Sequence, residues 1–591
     1  MRISDYIVSY LRDLGVKHVF GLQGSGTAIQ MFDSLGEAEG IDYVCTLHEQ
    51  AAGMAADSYA CITGNLGVCV TTCGPGATNL YTCVSGSFFN SNPVVYIIGQ
   101  PQVPLLKKDE KLRFFGYHEN DVISIFKPIT KYVVQITNPK DARYEVEKAI
   151  YLALEGRPGP VVIALPDDIT WLQIEPSELV GFEPPQYNSQ VLDIELDQCI
   201  SLMQKAVRPI LILGKGVRCS NAISEVKELI DYLDWPVALT WGIRDLLPYE
   251  DKRNVGSFGI QGSRSGNFSV QNADFILAIG TRFDPSETGQ PAKNFAREAT
   301  IVTVDVDKQE LKKYDEYGIP HSLQICSDAK CFIIELKKKL KNMPLNKSYS
   351  DWLNKVFYWK EKYPVFQMDY LKEDEVNPYV LIEALSNVLS NGDVVVTDTS
   401  TPRNYLFQAF KAKANQRLST WWNFACLGYG LPAGIGACYA HTGNVVTLMG
   451  DGGLQFNIQE LATVVFNSLN LKIIVLDNGG YANIYHVQNN FMKGRHYGID
   501  KAHGLPLPDS AKIAKAYGLP VVTIMSNEEI EEKLSEVMSM EGPVFCIVYL
   551  PMKHWTVPRK VGKDPIEDMT PKLSREEFNE QMLVASLPEQ I

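Results

Sequence analysis

Two short stretches carry residues suited to holding an anion and a metal ion. In "VVTLMGDGGLQFNIQEL" (445–461) an apolar run ends in Gly450-Asp451-Gly452-Gly453 and then resumes as a helical pattern. In "LKIIVLDNGGYANI" (471–484) a second apolar run ends in Asp477-Asn478, with Gly480 and Tyr481 just beyond. Read as parallel strands joined by one helical crossover, the two runs end side by side, ~4.8 Å apart. The Asp451 carboxylate, the Asn478 amide oxygen and the Gly480 carbonyl can then meet one ion. Such an all-oxygen set suits Mg²⁺ or Ca²⁺. The helix start at Gly452 and Gly453 offers free N–H groups to a phosphate. A Gly-Asp-Gly triplet alone also serves merely to turn a chain, but the 24 residues between "GDG" and "DN" favour a paired site. A third carboxylate, Glu49 in "YVCTLHEQAAGMAADSYA", stands where a strand becomes a helix. There it serves either as an acid–base group or only as a favourable charge in the first helical turn.

The elements that must position these groups are short, β-branched apolar runs without alternation: 93–99, 159–166, 208–214, 274–280, 393–398, 445–451, 471–477 and 543–551. Runs of this kind predict strands buried on both faces. Helical patterns lie between them, as in "EQAAGMAADSYACIT" and "IQELATVVFNSL". The alternation predicts an α/β chain of doubly wound parallel sheets. Ligands in such sheets bind beyond the carboxyl ends of the strands. Two linkers, 174–193 and about 342–378, divide the chain into three units. The expected extents are 1–175, 190–345 and 370–550, with a Pro- and charge-rich tail over 551–591 that wraps the surface.

The chain has 591 residues and a net charge of −14. That charge argues against nucleic acid or anionic membrane as a partner. No apolar run approaches the ~18 residues needed to span a bilayer, and the N-terminus lacks a signal-peptide core. Twelve cysteines are too sparse for a disulfide scaffold. A reducing cytoplasm is the expected location.

The paired "GDG…DN" pattern resembles the signature of thiamine-diphosphate enzymes. The likeness extends through "FGLQGSG", "CGPGATN…PVVYIIGQ", "GRPGPVVIALPDD", "RPILILGKGV", "GTRFDPSETG" and "LGYGLPAGIGA", in order along nearly the whole chain. These motifs are similar to those of the acetolactate synthase large subunit family. The resemblance implies three domains: pyrimidine-binding, central and diphosphate-binding. It implies thiamine diphosphate and Mg²⁺ as cofactors. It also implies a homodimer or homotetramer whose active site lies between two chains, because one chain is not expected to bring its own first and third units face to face. By the same resemblance Glu49 contacts the pyrimidine ring and relays a proton, and Leu427 supports the bent cofactor. Pro75 and Asn79 belong to the pyrimidine side. Ser400 and Thr401, with Asp451, Gly452, Gly453, Asn478 and Tyr481, belong to the diphosphate side. Asp451, Asn478 and Gly480 form the metal set. FAD is left open: Arg282 and the glycine-rich "FGIQGSRSGN" match the flavin-binding members, but a central domain that only packs is an equal alternative.

Three departures concern the substrate. Tyr117-His118-Glu119 stand where the synthases have Phe-Gln-Glu, which makes His118 a candidate proton-transfer group. Pro285-Ser286 stand where they have Asp-Arg. Asn483 and Val487 stand where they have Met and Trp. All three point away from a second pyruvate. The expected reaction is decarboxylation of a 2-keto acid and transfer of the acyl unit to a carbonyl acceptor, with a keto sugar as the suggested acceptor. The alternatives are a true acetolactate synthase, a 2-keto acid decarboxylase or C–C hydrolase of the same family, and a non-catalytic homologue.

Overall fold

The computed structural model describes residues 1–109, 111–185, 193–345 and 347–587. The start of the second unit, placed at 190, and part of the first linker lie outside the described residues. Each unit is built on one all-parallel sheet, as the unalternating apolar runs predict. In the first, the strands lie in the order Asp42–Cys45, His18–Gly21, Gly67–Thr71, Val94–Gln100, Val161–Pro166, Tyr132–Gln135. In the second the order is Leu323–Cys326, Thr300–Asp305, Phe275–Ile279, Pro209–Leu213, Val237–Leu239. In the third it is Arg417–Ser419, Val394–Thr397, Val445–Gly450, Leu471–Asp477, Val544–Tyr549, Val521–Ile524. The central strands of each sheet are buried along their length, save the ends at Gly450 and Asp477, the burial that doubly wound helices impose.

The linker between the second and third units holds a helix, Ser350–Lys362, whose Trp352 and Trp359 are buried against the central unit. The tail contains the short helix Arg575–Gln581, but it does more than wrap the surface. Ile566 and Phe578 enter the core of the central unit. Asn267 donates to the Ile566 carbonyl at 2.7 Å, and Arg297 pairs with the buried Glu567 at 2.8 Å. The tail thus ties the end of the third unit back to the second.

The first and third units meet within one chain, contrary to the expectation. The helix Glu49–Thr63 crosses the helix Gly430–Ala440 so closely that a Cβ at Gly436 would fall 2.1 Å from the Ala55 carbonyl oxygen. Alanine and glycine at the crossing permit that approach. A buried carboxylate fixes the angle. Asp57 accepts from Ser87 Oγ (2.7 Å) and Asn92 Nδ2 (2.9 Å) of its own unit. It also accepts from Trp421 Nε1 (2.6 Å) and the Tyr429 hydroxyl (3.0 Å) of the third. Asn92 in turn accepts from Lys215 of the central unit. Burial pushes the Asp57 pKa up, against the four donors that favour its charged form. Removing the acceptor strands those donors in the interior. Asp57→Ala is expected to cost on the order of 3–5 kcal/mol. A thermal unfolding midpoint within a degree or so of the wild type would refute this role.

Candidate active site

Register brings the two acidic strand ends together. Gly450 pairs with Leu476, so Asp451 and Asp477 emerge level from adjacent strands. Asp451 is the first residue of a short helix, Asp451–Leu454, with Gly450 as its N-cap. Its Oδ1 accepts the Gly452 N–H at 2.7 Å, whereas its buried Oδ2 has no protein partner. Burial first, and the Asp477 charge second, raise the Asp451 pKa. An orphaned carboxylate oxygen beside a second carboxylate fits a divalent cation, which would supply the missing partner and neutralise the repulsion. The Asp477 side chain joins this cluster beside the expected set of Asp451, Asn478 and Gly480. Asn478 Oδ1 accepts the Gly480 N–H at 3.2 Å, and the Tyr481 N–H is anchored on Ile499 at 2.8 Å. The Tyr481 ring lies over Gly452, where a Cβ would come within 2.4 Å of it. A Cβ at Gly453 would meet Asp398 Oδ2 at 2.5 Å. A larger residue at either position would displace the Tyr481 ring or the Asp398 carboxylate.

The loop bearing Ser400 and Thr401 faces this cluster from the start of the helix Thr401–Ala409. Ser400 has φ 72° and ψ −145°, close to a region nearly restricted to glycine and costing on the order of 1–3 kcal/mol. Its hydroxyl accepts from Asn483 Nδ2 at 2.7 Å. Asn483, a departure from the synthase pattern, is thus tied to the loop expected at the diphosphate side. Asp398, just before the loop, is buried, and burial raises its pKa to about 6. It accepts from the N–H groups of Thr399 and Gly428 at 2.7 and 2.9 Å. Asn457 donates to the Gly428 carbonyl at 2.8 Å. Asp398 and Asn457 thus clamp the turn that carries the half-buried Leu427. Asp398 opens the loop expected at the diphosphate, but its hold on Gly428, like that of Asn457, joins segments distant in sequence.

Glu49 is the first residue of its helix, after the N-cap His48. Its carboxylate accepts from Asn79 Nδ2 at 3.0 Å. Pro75 opens the helix Pro75–Asn79, and a Cβ at Gly76 would stand 3.4 Å from Glu49 Oε1. The preceding residue of that turn, Gly74, touches His118, and its carbonyl accepts from Asn120 at 3.2 Å. His118 has φ 59°, stacks on Tyr117 at 3.7 Å, and keeps a buried Nδ1 without a protein partner. Glu119 holds this loop by accepting the N–H groups of Lys107 and Phe115 at 2.6 and 2.7 Å. Glu49, Asn79, Pro75 and His118 therefore form one neighbourhood. It joins the third unit where Leu47 N–H donates to the buried Glu460 at 3.1 Å.

A cleft of about 300 Å³ lies over the central sheet. The loops after Pro209–Leu213 and Phe275–Ile279 line it, which is the switch point of that sheet. A Cβ at Gly214 would overlap the Gly280 carbonyl, so the two loops touch and leave a backbone cradle. Asp305, at the end of the neighbouring strand, lines the cleft with its pKa raised to about 6 by burial. Arg282 and Phe258 line it as well, whereas Arg264 turns away to the tail. A glycine cradle, a buried acid at the next strand end and nearby Lys215 and Arg157 fit a nucleotide such as FAD.

Comparison with known proteins agrees with this architecture. The family models for the N-terminal TPP-binding, central and C-terminal TPP-binding domains of thiamine pyrophosphate enzymes match residues 1–122, 196–336 and 398–548. The probable acetolactate synthase large subunit of Methanocaldococcus jannaschii is 31% identical over 98% of both chains. The acetolactate synthase large subunit of Pyropia yezoensis is 31% identical over 90% of this chain and 88% of its own. That of Lactococcus lactis is 29% identical over 94% and 93%. The chain belongs to the thiamine-pyrophosphate-dependent enzymes of the acetolactate synthase family. Among the described residues no helix is long and apolar enough to cross a membrane.

If Asp451 is a metal ligand, Asp451→Ala is expected to weaken Mg²⁺-dependent retention of thiamine diphosphate about ten- to a hundredfold, the scale of one charge-assisted bond. Wild-type Mg²⁺ affinity is expected to fall as pH drops, because the raised pKa lets protons compete for the same oxygens. Equilibrium binding with and without chelator checks both. Unchanged retention in the variant would leave the Gly-Asp-Gly segment as a turn.

Proposed function

We propose that this enzyme removes CO₂ from a 2-keto acid and joins the remaining acyl unit to a second 2-keto acid, as an acetolactate synthase does. Thiamine diphosphate supplies the electron sink for decarboxylation when bound. Asp451, Asn478 and the Gly480 carbonyl, with Asp477 beside them, hold Mg²⁺ at its diphosphate. Ser400, Thr401, Gly452 and Gly453 offer hydrogen-bond donors to the phosphates, and Tyr481 packs over that turn. Glu49 holds a proton at the pyrimidine side, oriented by Asn79 on the Pro75 turn. Leu427 supports the cofactor, and His118 exchanges a proton at the substrate end. FAD occupies the central cleft in a structural role, since carboligation involves no net redox change.

The observation that carries the second keto acid is the composition of the wall around Ser286. The missing arginine at 286 argued for a neutral acceptor. Yet Arg282 and Arg403 line the same cleft as Ser286, so the acceptor carboxylate would share that wall with FAD. Arg403 is largely buried, its Nε lacks a protein partner, and burial lowers its pKa to about 10, so it stays cationic. A carboxylate partner is therefore available without residue 286. One N–H of the Asn483 amide is engaged by Ser400, which fixes the side chain toward the diphosphate loop and weakens the case for a polar acceptor wall. The synthase names of the relatives point the same way. A keto sugar stays as the second reading, favoured by the partly exposed Val487, which leaves space where the synthases place a tryptophan. The test is a competition, with products identified by mass, between pyruvate alone and pyruvate plus a nucleotide-linked keto sugar. Its starting material is protein whose absorption spectrum has been read for flavin. Dominant acetolactate supports the proposal; a faster sugar adduct overturns it. A colourless active protein would remove FAD.

Although the first and third units touch within one chain, among the described residues the Glu49 and Asp451 carboxylates each accept only within their own unit, and the assembly is proposed to be a homodimer or homotetramer with sites completed across chains. Leu47, Tyr81 and Phe456, near the junction of the first and third units, are exposed in the single chain and suit burial against a second copy. Mixing inactive Glu49→Gln and Asn478→Ala subunits is expected to restore part of the activity. No recovery after verified exchange would assign the whole site to one chain.

A further inference from the structure

A second cavity, of about 240 Å³, lies away from the cofactor cleft, where the central unit, the linker after the helix Ser350–Lys362 and the end of the helix Thr401–Ala409 meet. Its charged end is built from Arg244, Lys360 and Lys411 around Tyr249. Arg244 is only 2% exposed, and its Nε and Nη1 have no protein partner. A buried guanidinium with idle donors is costly unless an acceptor enters. Lys360 is 7% exposed and sits 4.1 Å over the Tyr249 ring, with Lys411 5.4 Å from the same ring. Lys360 donates to the Tyr249 carbonyl, and its pKa is lowered to about 8, by burial first and by the Arg244 charge next.

The nearby acids do not cancel these charges. Glu383 pairs with Lys411 at 2.5 Å. Asp251 pairs with Arg253 at 2.8 Å. The carboxylates of Glu250, Asp251 and Glu361 act on Lys360 only through longer-range attraction, as does Asp245 on Arg244, its carboxylate being paired with Arg218 and Arg417. With Glu383 set against Lys411, Arg244 and Lys360 leave two positive charges facing a hollow. The hydroxyls of Ser263 and Ser265 are already engaged with backbone carbonyls and each other, so recognition falls to the cations. The other end is apolar: Val365 and Phe366 line it, and the exposed Met368 marks its mouth.

We propose that this cavity binds a small phosphate monoester, with its dianion between Arg244 and Lys360 and its organic part against Val365 and Phe366. Two cations balance two negative charges, and the planar guanidinium fork matches phosphate oxygens. The site adjoins Gln408 and Lys411 at the far end of the helix that begins at Thr401. Occupancy there bears on the helix that carries the Ser400–Thr401 loop.

The test uses the full chain saturated with thiamine diphosphate and Mg²⁺, so that the diphosphate loop is not free, and titrates inorganic phosphate, phenyl phosphate and acetate by calorimetry. Saturable phosphate binding at one site per chain is expected. Phenyl phosphate should bind at least about tenfold tighter than inorganic phosphate, because the mouth is apolar. Arg244→Gln and Lys360→Gln should each weaken binding about ten- to a hundredfold. Arg157→Gln, in the central cleft, should leave it unchanged. Should Arg244→Gln fail to fold, Lys360→Gln decides alone. No saturable binding at millimolar phosphate, wild-type affinity in Lys360→Gln, loss of binding in Arg157→Gln, or acetate binding as tightly as phosphate would each overturn the proposal. Equal affinity for the two phosphates would overturn the ester part.

Discussion

The Asp57 carboxylate is the constraint on which the rest depends. It has no water to turn to, and its four donors come from two units. Such a hydrogen-bonded charge is satisfied at one relative placement of those units, because a shift of an ångström leaves a buried donor or the carboxylate itself unpaired. Asn92 extends the contact to Lys215 on the glycine loop of the central cleft. A parallel junction stands beside it. Arg417 of the third unit caps the helix Glu49–Thr63 through the carbonyls of Cys61 and Ile62 at 2.8 and 3.0 Å. Asp245 of the central unit binds both Arg218 and Arg417. These polar contacts add direction to the apolar core that the first and third units share.

From that placement follows the geometry of the candidate site. The small-residue crossing of Glu49–Thr63 on Gly430–Ala440 leads on one side to Glu49 and on the other to the Leu427–Gly428 turn. Asp398 and Asn457 then hold that turn from both faces. Close backbone approach is needed at Gly428, where a Cβ would fall 2.4 Å from Phe456. Ser400 is the exception. It keeps a glycine-like conformation with a side chain, and the hydrogen bond from Asn483 is the visible compensation.

Much of this was legible in the chain because it is local. Unalternating apolar runs become buried parallel strands, and their order around the ends brings Asp451 and Asp477 level. The helix at 49–63 begins and ends where its pattern says, with Gly64 in the left-handed conformation that closes it. The helix expected over 458–469 was read too long: it is a 3₁₀ turn, Ile458–Glu460, followed by Leu461–Phe466, shaped by the contact of Glu460 with Leu47. The linker helix and the buried half of the tail were missed for a similar reason. Both lie in stretches rich in charge and proline, and what their apolar residues bury is surface of another unit.

The sequence by itself determined the strand and helix pattern, the glycine and carboxylate positions at the strand ends, and the family they belong to. These depend on side-chain period, backbone permissiveness and charge, all properties of neighbouring residues. Tertiary structure alone decided that Asp477 joins Asp451, that Asn483 serves Ser400, that Arg282 and Arg403 share a wall with Ser286, and that Arg244 and Lys360 face a hollow. Each joins residues or elements that no local pattern links. Whether a charge is paired or idle depends on what the folded chain brings within about 3–4 Å of it.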